Sequence, residues 1–260
     1  MTKSLNAELY DTDKARHRHY LEKYEKHFEG LVDRDIRLLE LGVYRGGSLL
    51  LWRDYFEKGL IVGLDINPID LHDPTGRIRT YCGKQQDTNL LDHIAREAAP
   101  EGFDVVIDDC SHIGELTRIS FWHLFDNHLK PGGLYVIEDW STGYWDSWFD
   151  GIGFRPRSNQ RYSQGLFRFR SKLARLYSSK VMEHTPLARK FIVTMKKFLN
   201  GRQFYSHDYG LVGFVKELVD ECGMADITRN DLGIPPERAS KFKEMRISPG
   251  QVFIVKADSG

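Results

Sequence analysis

Strand-like and helix-like segments alternate five times between residues 36 and 137, which predicts an α/β fold built on a doubly wound parallel sheet. Two local signals agree with that class. The apolar run 36–41 breaks at a glycine-rich turn, Gly42-Val-Tyr-Arg-Gly46-Gly47, that opens into a helix. Two later apolar runs end in paired acids, Asp108-Asp109 and Glu138-Asp139. Right-handed crossovers in such a sheet bring the strand C-termini to one edge, and ligands bind there.

Residues 13–30 read as a leading helix, with Tyr20, Tyr24 and Phe28 on one face and Asp11, Thr12 or Asp13 able to cap it. Residues 36–41 are mostly apolar, as a strand covered on both faces should be, and 48–56 resume helical spacing through Leu49, Leu50, Trp52 and Phe56. Strands follow at 60–64, 78–82, 103–107 and 134–137, with helices near 89–98 and 115–129 and a turn at Lys130-Pro-Gly-Gly133. Residues 140–205 break the rhythm. They are aromatic and basic before a helical stretch carrying Leu187, Phe191, Met195 and Phe198, and they read as an insertion forming a lid over the active edge. A returning helix at 208–222 precedes strand candidates at 225–228 and 251–256.

At 260 residues the chain can bury its core as a single domain, with 1–34 as an N-terminal helical cap. Lys plus Arg equals Asp plus Glu at 37 each, so no global field drives the chain toward nucleic acid or a membrane. The balance hides an asymmetry: residues 151–202 hold thirteen Lys or Arg and one acid, Glu183. Arg155, Arg157, Arg161, Arg168, Arg170 and Lys172 form no recognisable RNA module, and a solvated face or a homodimer interface suits them better. Cys82, Cys110 and Cys222 are odd in number and widely spaced, which argues against a disulfide framework and for a reducing cytoplasm. No apolar signal core or run of ~20 uncharged residues suggests a membrane span.

The turn can serve two cofactors. A dinucleotide site wants Gly-x-Gly-x-x-Gly, whereas the spacing here is Gly42-x-x-x-Gly46-Gly47 with Glu40 two residues ahead. An acid there repels phosphate but suits the positive end of an amino acid. Asp65 ends the next strand at the distance where an acid grips ribose hydroxyls. Together they favour S-adenosylmethionine over NAD.

Neighbouring parallel strands end side by side, so Asp109, Glu138 and Asp139 should converge beside the turn. Clustered acids repel unless a cation joins them, and hard oxygen ligands suit Mg²⁺. His112, three residues past Asp109, is a candidate base for a hydroxyl acceptor. Trp140, Tyr144, Trp145, Trp148 and Phe149 could stack on sugar faces or simply pack a lid.

Glu40-Leu-Gly-Val-Tyr-Arg-Gly-Gly-Ser48 resembles the first motif of class I S-adenosylmethionine-dependent methyltransferases, particularly the metal-dependent O-methyltransferases. Gln86-Asp87, Val106-Ile-Asp-Asp-Cys-Ser-His112, Val136-Ile-Glu-Asp139 and the leading Thr12-Asp-Lys14 with His19-Tyr20 are similar to the macrolide-sugar O-methyltransferases and their polysaccharide-methylating relatives, including mycobacterial methylmannose enzymes. The resemblance spans roughly residues 11–140 and implies a Rossmann-like seven-stranded sheet with an antiparallel last strand, supplied by 251–256. It implies Mg²⁺ on Asp109, Glu138 and Asp139, with His112 as base and Asp109 beside it in catalysis. Glu40, Gly42, Tyr44, Gly46, Ser48, Asp65 and Asp108 would surround the methionine and ribose parts of the donor, and Gln86 and Asp87 the adenine. Cys110 stands where that family usually carries glycine. The implied reaction is methyl transfer to a sugar hydroxyl of a glycoside, oligosaccharide or polysaccharide precursor. A phenolic acceptor, a nicotinamide oxidoreductase and a non-catalytic RNA- or membrane-binding module are the rival readings.

Overall fold

The computed structural model describes residues 3–16, 18–154, 168–169, 172–173, 175–176, 186–200, 207–224 and 238–258. They divide into two compact units: the first is drawn from Met1–His112, Leu116–Trp140 and Glu217–Gly260, the second from Ile113–Glu115 and Ser141–Lys216.

The first unit holds one seven-stranded sheet in the order β3-β2-β1-β4-β5-β7-β6. Its strands are β1 (Arg37–Leu41), β2 (Leu60–Asp65), β3 (Ile78–Cys82), β4 (Phe103–Asp108), β5 (Leu129–Glu138), β6 (Phe242–Ser248) and β7 (Gln251–Lys256). β1 to β5 pair in parallel, and β7 runs antiparallel to both β5 and β6. The sequence order reverses between β1 and β4, where Leu41 lies opposite Asp108. That reversal opens a crevice beyond the two strand ends.

Burial explains why the inner strands were easy to read. Every residue of β4 is buried, as are the last four of β1, so both are mostly apolar without alternation, with Glu40, Asp104 and Asp108 as their buried acids. β6 was not expected. It is an edge strand carrying Lys243, Glu244 and Arg246, which blunt pairing with other chains and erase the hydrophobic pattern. The strand expected at 225–228 lies outside the described residues.

Helix α1 (Arg18–Phe28) begins later than residue 13, because Asp13–Arg16 form a 3-10 turn instead. Its Tyr24 and Phe28 are fully buried, with ring centroids 5.2 and 5.7 Å from that of Trp52 on α2 (Gly47–Tyr55). α3 (Thr88–Ala98) starts at the Asp87 cap, and α4 (Gly114–Asn127) stops short of Leu129, where β5 starts.

The second unit contains a short helix, Phe149–Gly153, and a longer one, Pro186–Asn200. The buried Asp150 carboxylate accepts hydrogen bonds from Gly114 N at 2.9 Å and Leu211 N at 2.6 Å, satisfying first-turn donors of α4 and of the returning helix Gly210–Gly223. Leu187 and Phe191 are exposed while Ile192 is buried, so the expected apolar stripe is only partly covered. Arg168 and Lys172 are exposed, and Arg155, Arg157, Arg161 and Arg170 lie outside the described residues. No described helix is long and apolar enough to cross a membrane.

Candidate functional site

A cavity of about 720 Å³ opens at the C-terminal ends of β1, β2, β4 and β5, entirely within the first unit. Asp11 to Lys14 form one wall; the turn after β1, Asp65, Gln85, Gln86, Asp109 to His112 and Asp139 form the others.

The turn's glycines answer first to the protein's own backbone. Gly42 has φ +79°, and a Cβ there would meet the Asp109 carbonyl oxygen at 2.3 Å; a Cβ on Gly47 would meet that of Asp11 at 2.1 Å. The first glycine therefore lets β1 and β4 release their chains side by side, and Gly47 seats the N-terminal segment on α2. Asp65 fixes the turn between them: its Oδ2 accepts from Val43 N at 3.1 Å and Tyr44 N at 3.0 Å.

Beneath the cavity lies a buried charge cluster. Lys14, 4% exposed, places Nζ 2.7 Å from Asp109 Oδ2, 2.9 Å from Glu138 Oε2 and 3.5 Å from Glu40 Oε1. Burial alone would lower the Lys14 pKa, but the charges of Asp109, Glu138 and Glu40 override it and hold the ammonium well above its usual range. One ammonium does not satisfy three carboxylates. Burial pushes Asp109 up to about 7 against the pull of Lys14, and burial followed by the Asp109 charge pushes Glu138 up to about 7.

Three non-glycine residues among those described have positive φ: Tyr44 (49°), His112 (52°) and Asp139 (50°). All three line the cavity, one just beyond each of β1, β4 and β5. Such backbone costs of order 1–3 kcal/mol per residue and gathers at functional sites. It brings ligating atoms of Asp109, His112 and Asp139 within 4.8 Å of one another, with His112 Nε2 3.8 Å from Asp109 Oδ1. The Tyr20 hydroxyl donates to Asp139 Oδ1 at 3.2 Å.

Several expected site residues stand elsewhere. Gly42, Tyr44, Ser48, Asp65, Gln86, Asp109, His112 and Asp139 line the cavity; Glu40, Gly46, Asp87, Asp108 and Glu138 do not. Glu40 is fully buried and accepts from Ser48 Oγ at 2.6 Å and Trp52 Nε1 at 3.2 Å, which ties its carboxylate to the start of α2. Gly46 supplies left-handed backbone at the start of α2, with Leu71 and Ile69 beside it. Asp87 accepts from Leu90 N at 3.2 Å as the cap of α3. Asp108 points to the sheet face opposite Asp109, as strand alternation requires, and accepts from Ser120 Oγ at 3.2 Å and Tyr135 Oη at 3.3 Å. Glu138 is drawn inward to Lys14 and the Tyr24 hydroxyl, which keeps it out of the close group of Asp109, His112 and Asp139.

Sequence reasoning gave no chemical role to Lys14 or Gln85. Lys14's partners lie 95 and 124 residues away, beyond any local pattern. Gln85 accepts from Ser111 N at 3.1 Å and donates to Ser120 Oγ at 3.3 Å, steadying the loop after β4 from its buried side.

The seven-stranded sheet, with its order reversal between β1 and β4 and its antiparallel β7, has the fold of a solved methyltransferase. The chain is a sequence relative of sugar O-methyltransferases. It is 47% identical over 129 residues to mycinamicin VI 2''-O-methyltransferase of Micromonospora griseorubida, a match covering 47% of this chain and 31% of that protein. It is 45% identical over 129 residues to demethylmacrocin O-methyltransferase of Streptomyces fradiae, covering 47% and 32%. The crystal structure of the MycE methyltransferase from the mycinamycin biosynthetic pathway, in complex with Mg and SAH, matches with a TM-score of 0.65 at 28% identity, across 99% of this chain and 54% of that one. These matches span about a third of the curated relatives' length. No family model matches the chain.

Proposed function

We propose that the chain transfers a methyl group from S-adenosylmethionine to a hydroxyl of a sugar, with Mg²⁺ held at the acidic strand ends. The observation that carries this reading is the convergence of Asp109, His112 and Asp139 on one cavity through strained backbone beyond two adjacent strands.

The residues fit a hard dication. Asp109 and Asp139 offer oxygen donors, and the neighbouring buried acids outnumber the one ammonium among them. Mg²⁺ would be held by Asp109 and Asp139, with Glu138 as the third carboxylate of the cluster, shared with Lys14. When bound, the ion neutralises this charge and lowers the pKa of an acceptor hydroxyl beside it. His112 Nε2 takes the hydroxyl proton as the oxygen attacks the donor methyl; the new O–C bond replaces the S–C bond, and S-adenosylhomocysteine leaves. Asp65, Tyr44, Ser48 and Gln86 supply the donor's surroundings, and the walls hold oxygen and methyl in line, which is worth ~7–11 kcal/mol in favourable systems.

A carbohydrate acceptor is supported by the relatives and by the exposed ring of Tyr44 at the cavity. A glycoside or oligosaccharide fits these features; a polysaccharide precursor is the larger member of the same class. The test is transfer of labelled methyl from S-adenosylmethionine to a panel of glycosides, oligosaccharides and catechol-type phenols, with Mg²⁺ or with EDTA. Transfer to a sugar that EDTA abolishes is the expected result, and His112→Ala should lower kcat by ~10²–10⁴. Transfer to phenols alone, or transfer indifferent to EDTA, contradicts the proposal.

A further inference from the structure

A second cluster lies at the other end of the sheet. Asp92 on α3, His123 on α4 and His128, the residue before β5, bring one ligand atom each within 4.8 Å of the others. Asp92 Oδ1 is 2.7 Å from His123 Nε2 and 2.6 Å from His128 Nε2. Hydrogen bonds from His128 and His123 hold the Asp92 carboxyl below its usual range, so it is an anion and can only accept. Both imidazoles therefore aim Nε2 at one oxygen.

The frame is rigid. His128 N donates to the Leu124 carbonyl at 2.8 Å, and its own carbonyl accepts from Phe103 N at 2.7 Å, so the junction of α4 and β5 is fixed on both sides. The side chains are 37%, 19% and 18% exposed in the order Asp92, His123, His128, which leaves one face of the group open to water. None of the three lines the strand-end cavity, and β5 carries the chain on the order of 30 Å between His128 and that cavity.

We propose that Asp92, His123 and His128 bind a Zn²⁺-class dication, independently of the catalytic reading, and that the ion pins α3 to the α4–β5 junction. Two imidazoles and one carboxylate suit Zn²⁺, Co²⁺ or Ni²⁺ and are poor partners for Mg²⁺. Zinc held at ~2.0–2.2 Å in a tetrahedron by N and O donors needs those donors about 3.4 Å apart, so each imidazole has to draw back from Asp92 by about 0.7 Å, a shift that side-chain rotation supplies. On binding, each Nε2 proton moves to Nδ1 or to solvent, and the nitrogen lone pairs face the ion. Among the described residues no fourth such ligand joins the group, so water completes the tetrahedron.

The experiment is thermal unfolding of the EDTA-treated full chain, dialysed into Mg²⁺, with and without micromolar ZnCl₂. Wild type should melt several degrees higher with zinc, since an ion bound by the native state stabilises it. His123→Gln and His128→Gln should lose that rise, and Asp109→Asn should keep it. Cobalt added to wild type should give visible d–d absorption that either histidine variant abolishes, a readout that holds even if a variant is less stable. Absence of a zinc response in wild type, its survival in both histidine variants, or its loss in Asp109→Asn overturns the proposal.

Discussion

Lys14 sets the electrostatics of the site. Its ammonium is the one cation in contact with Asp109, Glu138 and Glu40 among the described residues, and removing one partner of a buried ion cluster typically costs about 3–5 kcal/mol. Lys14→Met should destabilise the chain by roughly that amount in urea unfolding; an unchanged midpoint would mean the acids are neutral without it. Asp109 and Glu138 also give a pH dependence with a definite sign. Burial raises both above their free values to about 7, so each favours the folded state while protonated. That contribution is complete below about pH 4 and is lost as pH rises through about 7. A dication needs the carboxylates deprotonated, so Mg²⁺ affinity measured by calorimetry should rise between pH 6 and pH 8, and a flat profile would contradict the ligand assignment. The acids and His112 were legible in the sequence because strand ends announce themselves. Lys14 was not, because nothing in Asp11-Thr-Asp-Lys14 shows that the segment folds against strands a hundred residues on.

The elements explain why some expected binding residues have structural roles. A strand end and a helix start are where both ligands and caps occur, so Asp87 reads equally as an adenine contact or as a cap, and its bond to Leu90 N supplies the cap. Asp87→Ala should cost ~0.5–2 kcal/mol of stability while leaving S-adenosylhomocysteine affinity unchanged; a large affinity loss would restore the binding role. Gly42→Ala tests the other side of the turn. A Cβ 2.3 Å from the Asp109 carbonyl on a backbone at φ +79° must push the two strand ends apart, so both the melting temperature and methyl transfer should fall. The central strands β1, β2 and β4 were readable since burial on both faces makes their composition mostly apolar. β6 was not, because an exposed edge strand with alternating charge looks like a loop.

Over the whole molecule, fold and site agree: the order reversal between β1 and β4 makes the crevice, and the positive-φ residues beyond β1, β4 and β5 turn side chains into it. The zero net charge conceals a basic stretch at 151–202, and its sequence pattern says that the charge is segregated without saying what it meets. The central claim is that Asp109 and Asp139 hold a divalent ion beside the methyl donor. Calorimetric titration of Mg²⁺ into the chain saturated with S-adenosylhomocysteine tests it most directly, comparing wild type with Asp109→Asn. One ion bound per wild-type chain and none in the variant is the expected result; equal binding by both, or none by wild type, would contradict it.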